Sequence, residues 1–177
     1  MSKSIGKIFE QNWKASIPED IFVYRPPDAA QSFQKTNSNL RFSLRSPCDY
    51  FIFNGQYLWA LELKSVAGTS ISFERCNTDK GVIHDYQIKT LKEFRTYPNV
   101  ISGLLIDFRK SCNTYFLSID YWDQLINSIN KKSFNEQNLL DYSSPICIDK
   151  KKLKVNYRYN VVKFLHDSSK SYADNNK

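Results

Sequence analysis

The chain has 177 residues and a formal net charge of +7 at pH 7, with a pI near 9.2. Four scattered cysteines without a C-x-x-C pair, and only two histidines, argue against a zinc site or a disulfide framework and favour a reducing cytoplasm. No apolar run reaches the roughly 20 residues of a membrane span, and the N-terminus lacks the apolar core of a signal peptide. The length predicts one domain with a normal core, and the basic charge favours an anionic partner, either a phosphate polymer or a membrane surface.

The first predicted elements are a helix and a short strand. Ser4 can cap a helix that ends before Pro18, and its apolar residues recur at helical spacing. Glu10 points away from this apolar stripe, where a solvated surface acid is the default interpretation. Ile21–Arg25 then predicts a short strand that the two following prolines stop.

A long polar segment, residues 28–46, separates this strand from the next apolar run. After its first residue its only charges are positive, at Lys35, Arg41 and Arg45, and they alternate with apolar side chains. The segment exceeds the usual connection length, which favours a functional segment. A flexible surface loop and a projection that contacts an anionic partner both remain open.

A β-hairpin is predicted around Asn54 and Gly55, which stand between two runs of aromatic and aliphatic residues. With these two as the loop residues, Glu62 and Lys64 lie on the same face as Asp49, because side chains alternate along a strand. Glu62 becomes a diagonal cross-strand neighbour of Asp49. A loop with an odd number of residues would reverse this parity.

Two carboxylates at this separation can hold a hard divalent cation, since Mg²⁺ is usually bound by one or two carboxylates plus water. Lys64 would then lie beside the metal, where a lysine can orient or deprotonate a water, or stabilise charge on a phosphate. The alternative is an ordinary surface ion pair, because a Glu-x-Lys on a strand is common. The apolar flanking sequence favours a paired or metal-bound group over a solvated one.

The middle of the chain predicts a helix between strands. Residues 65–81 read as irregular, and a helix follows over Ile83–Tyr97. Gln87 falls on the buried face of this helix, so its amide needs a partner. The charged face of the hairpin is one candidate, and a backbone cap is the other. Val100–Phe108 and Thr114–Ile119 predict two further strands.

The C-terminal third predicts mainly helices. One is expected near residues 120–129, and Ser133–Glu136 reads as a capping box that opens another. A last helix is expected near Tyr159–Leu165, after a basic run that begins at residue 150. We therefore predict a single domain over residues 1–170 and a frayed tail over 171–177.

An acid that enters a hairpin, a Glu-x-Lys on the second strand and a glutamine on the next helix occur in order along the chain. This set resembles the PD-(D/E)XK nuclease superfamily, and more closely the RecU-type Holliday-junction resolvases of Gram-positive bacteria and their phages. The matching motifs span most of the chain up to about residue 110. They are Gly6-Lys-Ile-Phe-Glu10, Ser46-Pro-Cys-Asp-Tyr50, Leu61-Glu-Leu-Lys64 and His84-Asp-Tyr-Gln-Ile88.

The resemblance implies a role for each matching side chain. Asp49 and Glu62 would hold Mg²⁺, for which Mn²⁺ can substitute, helped by a main-chain carbonyl of the second strand. Lys64 would position the attacking water, and Gln87 would complete the site. Glu10 would act as a further acid near the metal.

The resemblance also implies an architecture and a partner. We expect a restriction-endonuclease-like α/β core, with a central mixed β-sheet flanked by helices and a short stalk-like insertion at residues 28–46. Members of this family are homodimers, and the insertion enters the centre of a four-way junction. Arg25, Lys35, Arg41 and Arg45 would contact DNA phosphates, which position the protein without reading sequence.

The function expected from this resemblance is metal-dependent hydrolysis of DNA phosphodiesters, with paired nicks at four-way junctions, in the cytoplasm of a bacterial cell or phage-infected host. Two alternatives stay open. One is a PD-(D/E)XK endonuclease that acts on ordinary duplex DNA, in restriction or repair. The other is a non-catalytic DNA-binding protein with the same fold.

Overall fold

Aromatic and β-branched residues concentrate in Tyr50–Val66 and Val100–Ser118, and these runs form the centre of a mixed β-sheet. The computed structural model describes residues 5–27, 46–76 and 79–176. The predicted insertion at residues 28–46 lies outside the described residues except for Ser46, and so does the predicted cap Ser4. No helix in these described ranges is long and apolar enough to cross a membrane.

The described residues form five α-helices and ten β-strands. The helices are α1 (Ile5–Lys14), α2 (Asp85–Arg95), α3 (Trp122–Ser128), α4 (Glu136–Tyr142) and α5 (Val161–Asn175). The strands are β1 (Phe22–Tyr24), β2 (Tyr50–Phe53), β3 (Leu58–Val66), β4 (Ser70–Ser72), β5 (Val100–Phe108), β6 (Asn113–Ser118), β7 (Ser133–Asn135), β8 (Ile146–Cys147), β9 (Lys150–Lys152) and β10 (Tyr157–Tyr159).

The main sheet has six strands in the order β1-β2-β3-β5-β6-β8. Strands β3 and β5 pair in parallel over their full lengths, and the other neighbours pair antiparallel. Every residue of β5 is buried, as expected for a central strand covered on both faces. The predicted α/β class, with a central mixed sheet flanked by helices, is confirmed.

Alternate residues of β3 pack on opposite faces of the sheet, and each face has its own apolar core. Ala60 belongs to the core under α2, α3 and α4, together with Leu91. Trp59 belongs to the core under α1 and α5, together with Trp13 and Phe164. The sheet is therefore covered by helices on both faces.

The hairpin turn differs from the prediction by one residue. Phe53 pairs with Leu58, so the turn is centred on Gly55 and Gln56 rather than on Asn54 and Gly55. The side-chain oxygen of Asn54 accepts hydrogen bonds from the N–H groups of Gln56 (3.0 Å) and Tyr57 (2.9 Å), which places Asn54 before the turn. Gly55 has a φ of +95°, a conformation that favours glycine.

This one-residue change at the turn moves the strand register by two residues and leaves its parity intact. Phe51 pairs with Ala60 and Tyr50 with Leu61. The even shift keeps the parity of the paired residues, so Glu62 still lies on the strand face that carries Ala60 and Phe51. The predicted diagonal placement of Glu62 required Asp49 opposite Ala60, but Ala60 pairs with Phe51, and the Asp49 N–H donates to the Leu61 carbonyl. The two carboxylates are nevertheless close, since the charge of Asp49 raises the pKa of Glu62.

Three predictions for the C-terminal half and the preceding loop were wrong in detail. Ser133 does not cap α4, because it belongs to β7, and Asn135 is the cap, with its side chain accepting from the Asn138 N–H at 2.8 Å. The last helix, predicted near Tyr159–Leu165, begins at Val161 and runs to Asn175. The region predicted to be irregular contains β4, which pairs with β7 and buries Ile71. These pairings join segments that are distant in sequence.

Two glycines should respond oppositely to alanine. At Gly103 a Cβ would overlap the Leu117 carbonyl oxygen and approach the Phe116 ring to 2.7 Å, whereas at Gly6, inside α1, it would meet nothing within 4 Å. We expect Gly103→Ala to lower the free energy of unfolding by about 1–3 kcal/mol. We expect Gly6→Ala to raise it by about 0.5–1 kcal/mol. Urea unfolding of both variants checks the pair, and equal effects would contradict the packing described around Gly103.

Candidate functional site

Asp49 lies where β2 begins, and its carboxylate continues the ladder that the short strand leaves incomplete. The Asp49 N–H donates to the Leu61 carbonyl at 3.0 Å, and Asp49 Oδ2 accepts from the Leu63 N–H at 2.7 Å. Strand β3 extends several residues beyond the end of β2, so Leu63 has no main-chain acceptor from β2 in the described pairing. The side chain takes that place, which holds the Asp49 carboxylate against β3.

The chain that enters β2 is held by short-range contacts. The Ser46 hydroxyl donates to the Cys48 carbonyl at 2.8 Å, and the Cys48 thiol contacts the Tyr50 carbonyl at 3.5 Å. Burial raises the pKa of the Cys48 thiol to about 12, and the nearby Glu62 and Asp49 carboxylates contribute to this rise. The thiol therefore stays protonated near neutral pH, which suits a packing role and not that of a nucleophile.

Glu62 is the most deeply buried carboxylate of the site, with 5% of its surface exposed. Its Oε1 atom lies 3.0 Å from Lys64 Nζ and also accepts a hydrogen bond from Gln87 Nε2. The Lys64 side chain is itself only 12% exposed. The predicted convergence of the two hairpin charges is present, and helix α2 adds the third partner.

Gln87 uses both ends of its amide. Its NH₂ group contacts Glu62, and its Oε1 atom accepts from the His84 N–H at 3.0 Å at the start of α2. Both interpretations from the sequence are therefore confirmed: Gln87 contacts the charged face of the hairpin and also satisfies a backbone group. The start of helix α2 is thereby coupled to the position of the Glu62 carboxylate.

The pKa of Glu62 is raised to about 7, mainly because burial disfavours the ionised form. Lys64 opposes this shift, while the negative charges of Asp49 and Glu10 add to it. Near neutral pH the carboxyl group is therefore poised between its protonated and ionised forms. A cation that binds beside it would replace the proton and favour the ionised form.

Glu10 reaches the same region from α1, on the other face of the sheet. Its Oε2 atom lies 3.1 Å from an Arg25 guanidinium nitrogen, and its carbonyl oxygen accepts from the Tyr50 hydroxyl at 3.4 Å. Its carboxylate is close enough to Glu62 to raise the pKa of that group. Glu10 is thus an ion-paired, partly buried acid at the rim of the site, and its part in catalysis stays a prediction.

The four predicted phosphate contacts divide into two groups. Arg25 is exposed and borders the site through its ion pair with Glu10. Lys35, Arg41 and Arg45 lie outside the described residues. The role of all four toward DNA stays a prediction.

The donor set fits a hard divalent cation. Asp49 and Glu62 supply two carboxylates at the end of β3. Within the described ranges, no larger group of three or more His, Cys, Asp or Glu side chains is arranged to hold a metal ion, so protein ligands beyond these two are not expected. Mg²⁺ suits such a site because it keeps several waters and uses few protein ligands. Burial is the main cause of the raised pKa of Glu62, and the charge of Asp49 adds to it, so a bound cation would favour the ionised form.

One supporting residue was missed in the sequence. Glu74 accepts from His84 Nδ1 at 2.8 Å and from the Asp85 N–H at 3.0 Å, and these bonds lower the pKa of the Glu74 carboxyl group. Glu74 therefore holds the first turn of α2, from which Gln87 projects. No local sequence pattern indicates this contact, because a loop separates Glu74 from α2 and only the tertiary structure decides the path of that loop.

Comparisons with known proteins place the chain beside a relative and a solved structure. No family model matches the chain. It is 32% identical over 184 residues to the SPbeta prophage-derived uncharacterized protein YotM of Bacillus subtilis (strain 168), in a match that covers 97% of this chain and 90% of that protein. A structure of Hjc, a Holliday junction resolvase of Archaeoglobus fulgidus, aligns with a TM-score of 0.43 at 14% identity, over 75% of this chain and 85% of that one.

The raised pKa of Glu62 predicts a pH-dependent stability. Its pKa rises from an ordinary 4.5 to about 7 on folding, so the folded state holds an extra proton between these values. Without divalent cations, the free energy of unfolding should therefore fall as pH rises from about 4.5 to 7, by at most roughly 3 kcal/mol. Glu62→Gln should remove this part of the slope, and urea unfolding from pH 5 to 8 checks it.

Addition of Mg²⁺ supplies the second half of this test. At pH 8, Mg²⁺ should raise the melting temperature of the wild type and leave that of Glu62→Gln nearly unchanged, because a bound ion stabilises only the state that binds it. Identical pH slopes and identical Mg²⁺ responses in the two proteins would show that Glu62 neither titrates as described nor binds the ion.

Proposed function

The chain belongs to the same family as YotM of Bacillus subtilis, and we propose that it is a metal-dependent endonuclease that hydrolyses DNA phosphodiesters. One observation carries the proposal. Asp49, Glu62, Lys64 and Gln87 come together where β3 extends past the start of β2, and both the lysine and the glutamine contact Glu62. Buried clusters of interacting carboxylates with a raised pKa are typical of functional sites.

Each residue of the site would have a separate role. Asp49 and Glu62 would hold Mg²⁺, which supplies a Lewis acid for a phosphate oxygen and a bound water of lowered pKa. Lys64 carries three N–H donors, so it can keep its contact with Glu62 while it donates to a phosphate oxygen or orients a water. Gln87 would keep the Glu62 carboxylate aimed at the metal as its proton is lost.

A nucleic-acid substrate is supported by charge. The formal net charge of +7 attracts a polyanion. Two carboxylates in the site would repel the phosphates of such a ligand unless a bound cation lies between them. In a protein that only binds DNA, Asp49 and Glu62 would repel the ligand and weaken binding. In a nuclease the same two carboxylates are required, because they hold the cation.

The finer proposal is a Holliday junction resolvase of the RecU type, acting as a homodimer on four-way junctions. It rests on the order of the four motifs, from Gly6-Lys-Ile-Phe-Glu10 to His84-Asp-Tyr-Gln-Ile88, and on a relative that is prophage-derived. Two sites related by a two-fold axis would produce the paired nicks that a symmetric junction requires.

The test is Mg²⁺-dependent cleavage of a synthetic four-way junction and of a linear duplex with matched sequence. We expect Lys64→Ala and Glu62→Ala each to reduce cleavage by about 100-fold or more, because each removes a group that acts at the reacting phosphate. Lys89→Ala is the matched control: this exposed lysine of α2 pairs with Asp85 at 2.6 Å, away from the Glu62 contacts, and its loss should change the rate less than about twofold.

Each outcome has a defined meaning. Paired nicks on the junction alone, lost in both site variants, support the resolvase. Equal cutting of the duplex keeps the endonuclease and overturns the junction preference. If neither substrate is cut with Mg²⁺ or Mn²⁺, by a protein whose melting curve shows that it is folded, the endonuclease proposal fails and a non-catalytic DNA-binding protein takes its place.

A further inference from the structure

Strands β9 and β10 form a two-stranded ribbon, residues 150–159, that stands apart from the main sheet. We call it the basic ribbon, because its ten residues include five basic side chains and no acidic one. Residues 151–156 are all exposed. The tip carries Val155 with 86% of its surface exposed, so the ribbon presents its outer half to solvent.

The cations occupy both faces of the basic ribbon. Lys151 lies directly opposite Arg158, so two like charges share one face of the strand pair. Lys152 lies opposite Tyr157 on the other face. Like charges directly opposite each other destabilise a strand pair. The Arg158 guanidinium donates to the Ala15 carbonyl oxygen and keeps further N–H groups for an anionic ligand, which would relieve the repulsion from Lys151.

Nearby acids do not neutralise the outer lysines. Across the described parts of the chain, no carboxylate lies within 4.0 Å of the ammonium groups of Lys151, Lys152 or Lys154. The acids at the foot of the ribbon are already paired: Asp107 with Lys150 at 2.8 Å, and Asp149 with Lys163 at 3.4 Å. Among the described residues, the exposed charge of the ribbon is therefore not neutralised by ion pairs and is accessible to an anionic ligand.

The foot of the basic ribbon is fixed, so the charges are presented on a rigid support. Lys150 is the inward-facing exception among the basic residues, with its side chain 8% exposed and its Nζ atom 2.8 Å from Asp107 and 2.7 Å from Thr114. On the facing strand, the Tyr159 N–H donates to the Ser16 hydroxyl at 2.9 Å. These bonds attach one strand to the sheet and the other to the end of α1.

The same network connects the ribbon with the candidate active site. Asp107 of β5 pairs with Ser65 of β3, whose hydroxyl donates to it at 3.3 Å, and Ser65 directly follows Lys64. Because successive side chains of a strand point to opposite faces, the foot of the ribbon and the candidate site lie on opposite faces of β3 and β5, at neighbouring positions along the strands. One helical turn of B-DNA spans about 34 Å, so a bound duplex is longer than the separation of neighbouring strands, which is about 4.8 Å.

We propose that the basic ribbon lies in the major groove of a duplex arm next to the active site, with Lys151 and Arg158 toward one phosphate strand and Lys152 toward the other. The major groove is about 12 Å wide and admits a two-stranded ribbon. Cations on both faces match the two phosphate walls of a groove, whereas a flat anionic membrane meets one face only. The location beside an active site rests on the proposed function, but the DNA contact itself does not.

The experiment measures DNA binding without cleavage. Fluorescence anisotropy of a labelled linear duplex, in EDTA and between about 50 and 200 mM salt, gives the dependence of log Kd on log salt. Each phosphate contact contributes about 0.9 to this slope. Lys151→Gln and Lys152→Gln should therefore each reduce the slope by about 0.9, and the double variant by about 1.8.

The matched control is the double variant Lys131→Gln and Lys170→Gln, which removes the same charge from exposed positions outside the ribbon. Its slope should change by less than about 0.5, because distant charges contribute only through screened attraction. Melting curves of all variants should match that of the wild type, since the substituted side chains are exposed and make no ion pair with a described residue.

Three results would overturn the proposal. An equal effect of the ribbon and control variants would show that only net charge matters. A reduced salt slope in only one of the two single variants would contradict the placement of the ribbon in a groove. Weakened binding to vesicles of equal phosphatidylglycerol and phosphatidylcholine, with unchanged binding to DNA, would identify a membrane contact instead.

The salt dependence and the cleavage assay give separate answers. If the protein never cuts DNA but the ribbon variants show a reduced salt slope, the endonuclease proposal fails and the proposed DNA contact of the basic ribbon is supported. A protein that cuts DNA with the same salt slope in every variant supports the endonuclease and overturns the ribbon.

Discussion

The burial of the Glu62 carboxylate is the constraint on which the candidate site depends. A carboxylate removed from water must be paired and hydrogen-bonded or protonated, because its charge is otherwise unfavourable. Lys64 and Gln87 both contact one oxygen of this group, and the pKa still rises to about 7. The folding of this part of β3 is therefore coupled to the protonation state of Glu62.

Much of the surrounding structure supports that one group. The parallel pairing of β3 with β5 buries the strand that carries Glu62 and Lys64. Helix α2 packs on the same face and delivers Gln87, while Glu74 holds the first turn of that helix in place. These elements are rigid parts of the core, and a metal site needs such support because small displacements of a ligand weaken binding.

The two faces of the sheet carry different polar groups. One face carries Glu62 and Lys64 under α2, and the other carries Asp107, which anchors the basic ribbon through Lys150. Because neighbouring residues of β3 point to opposite faces, Lys64 and Ser65 place the two features back to back along one strand.

The sequence by itself determined the parts that local periodicity controls. Alternation predicted which side chains of the hairpin strands share a face, and this parity survived an error in the turn because the register moved by an even number of residues. Helical spacing put Gln87 on a buried face, and the largely aliphatic segment Val100–Phe108 was predicted as a strand. These signals reside within a few neighbouring residues.

Only the tertiary structure decided the contacts between distant segments. The pairing of β7 with β4 placed Ser133 in a strand instead of the expected helix cap, and α5 continued past Leu165. Glu74 and the pairing of Asp107 with Lys150 have no counterpart in any short motif. Each depends on side chains that come together only when the core is packed, so no pattern along the chain can specify them.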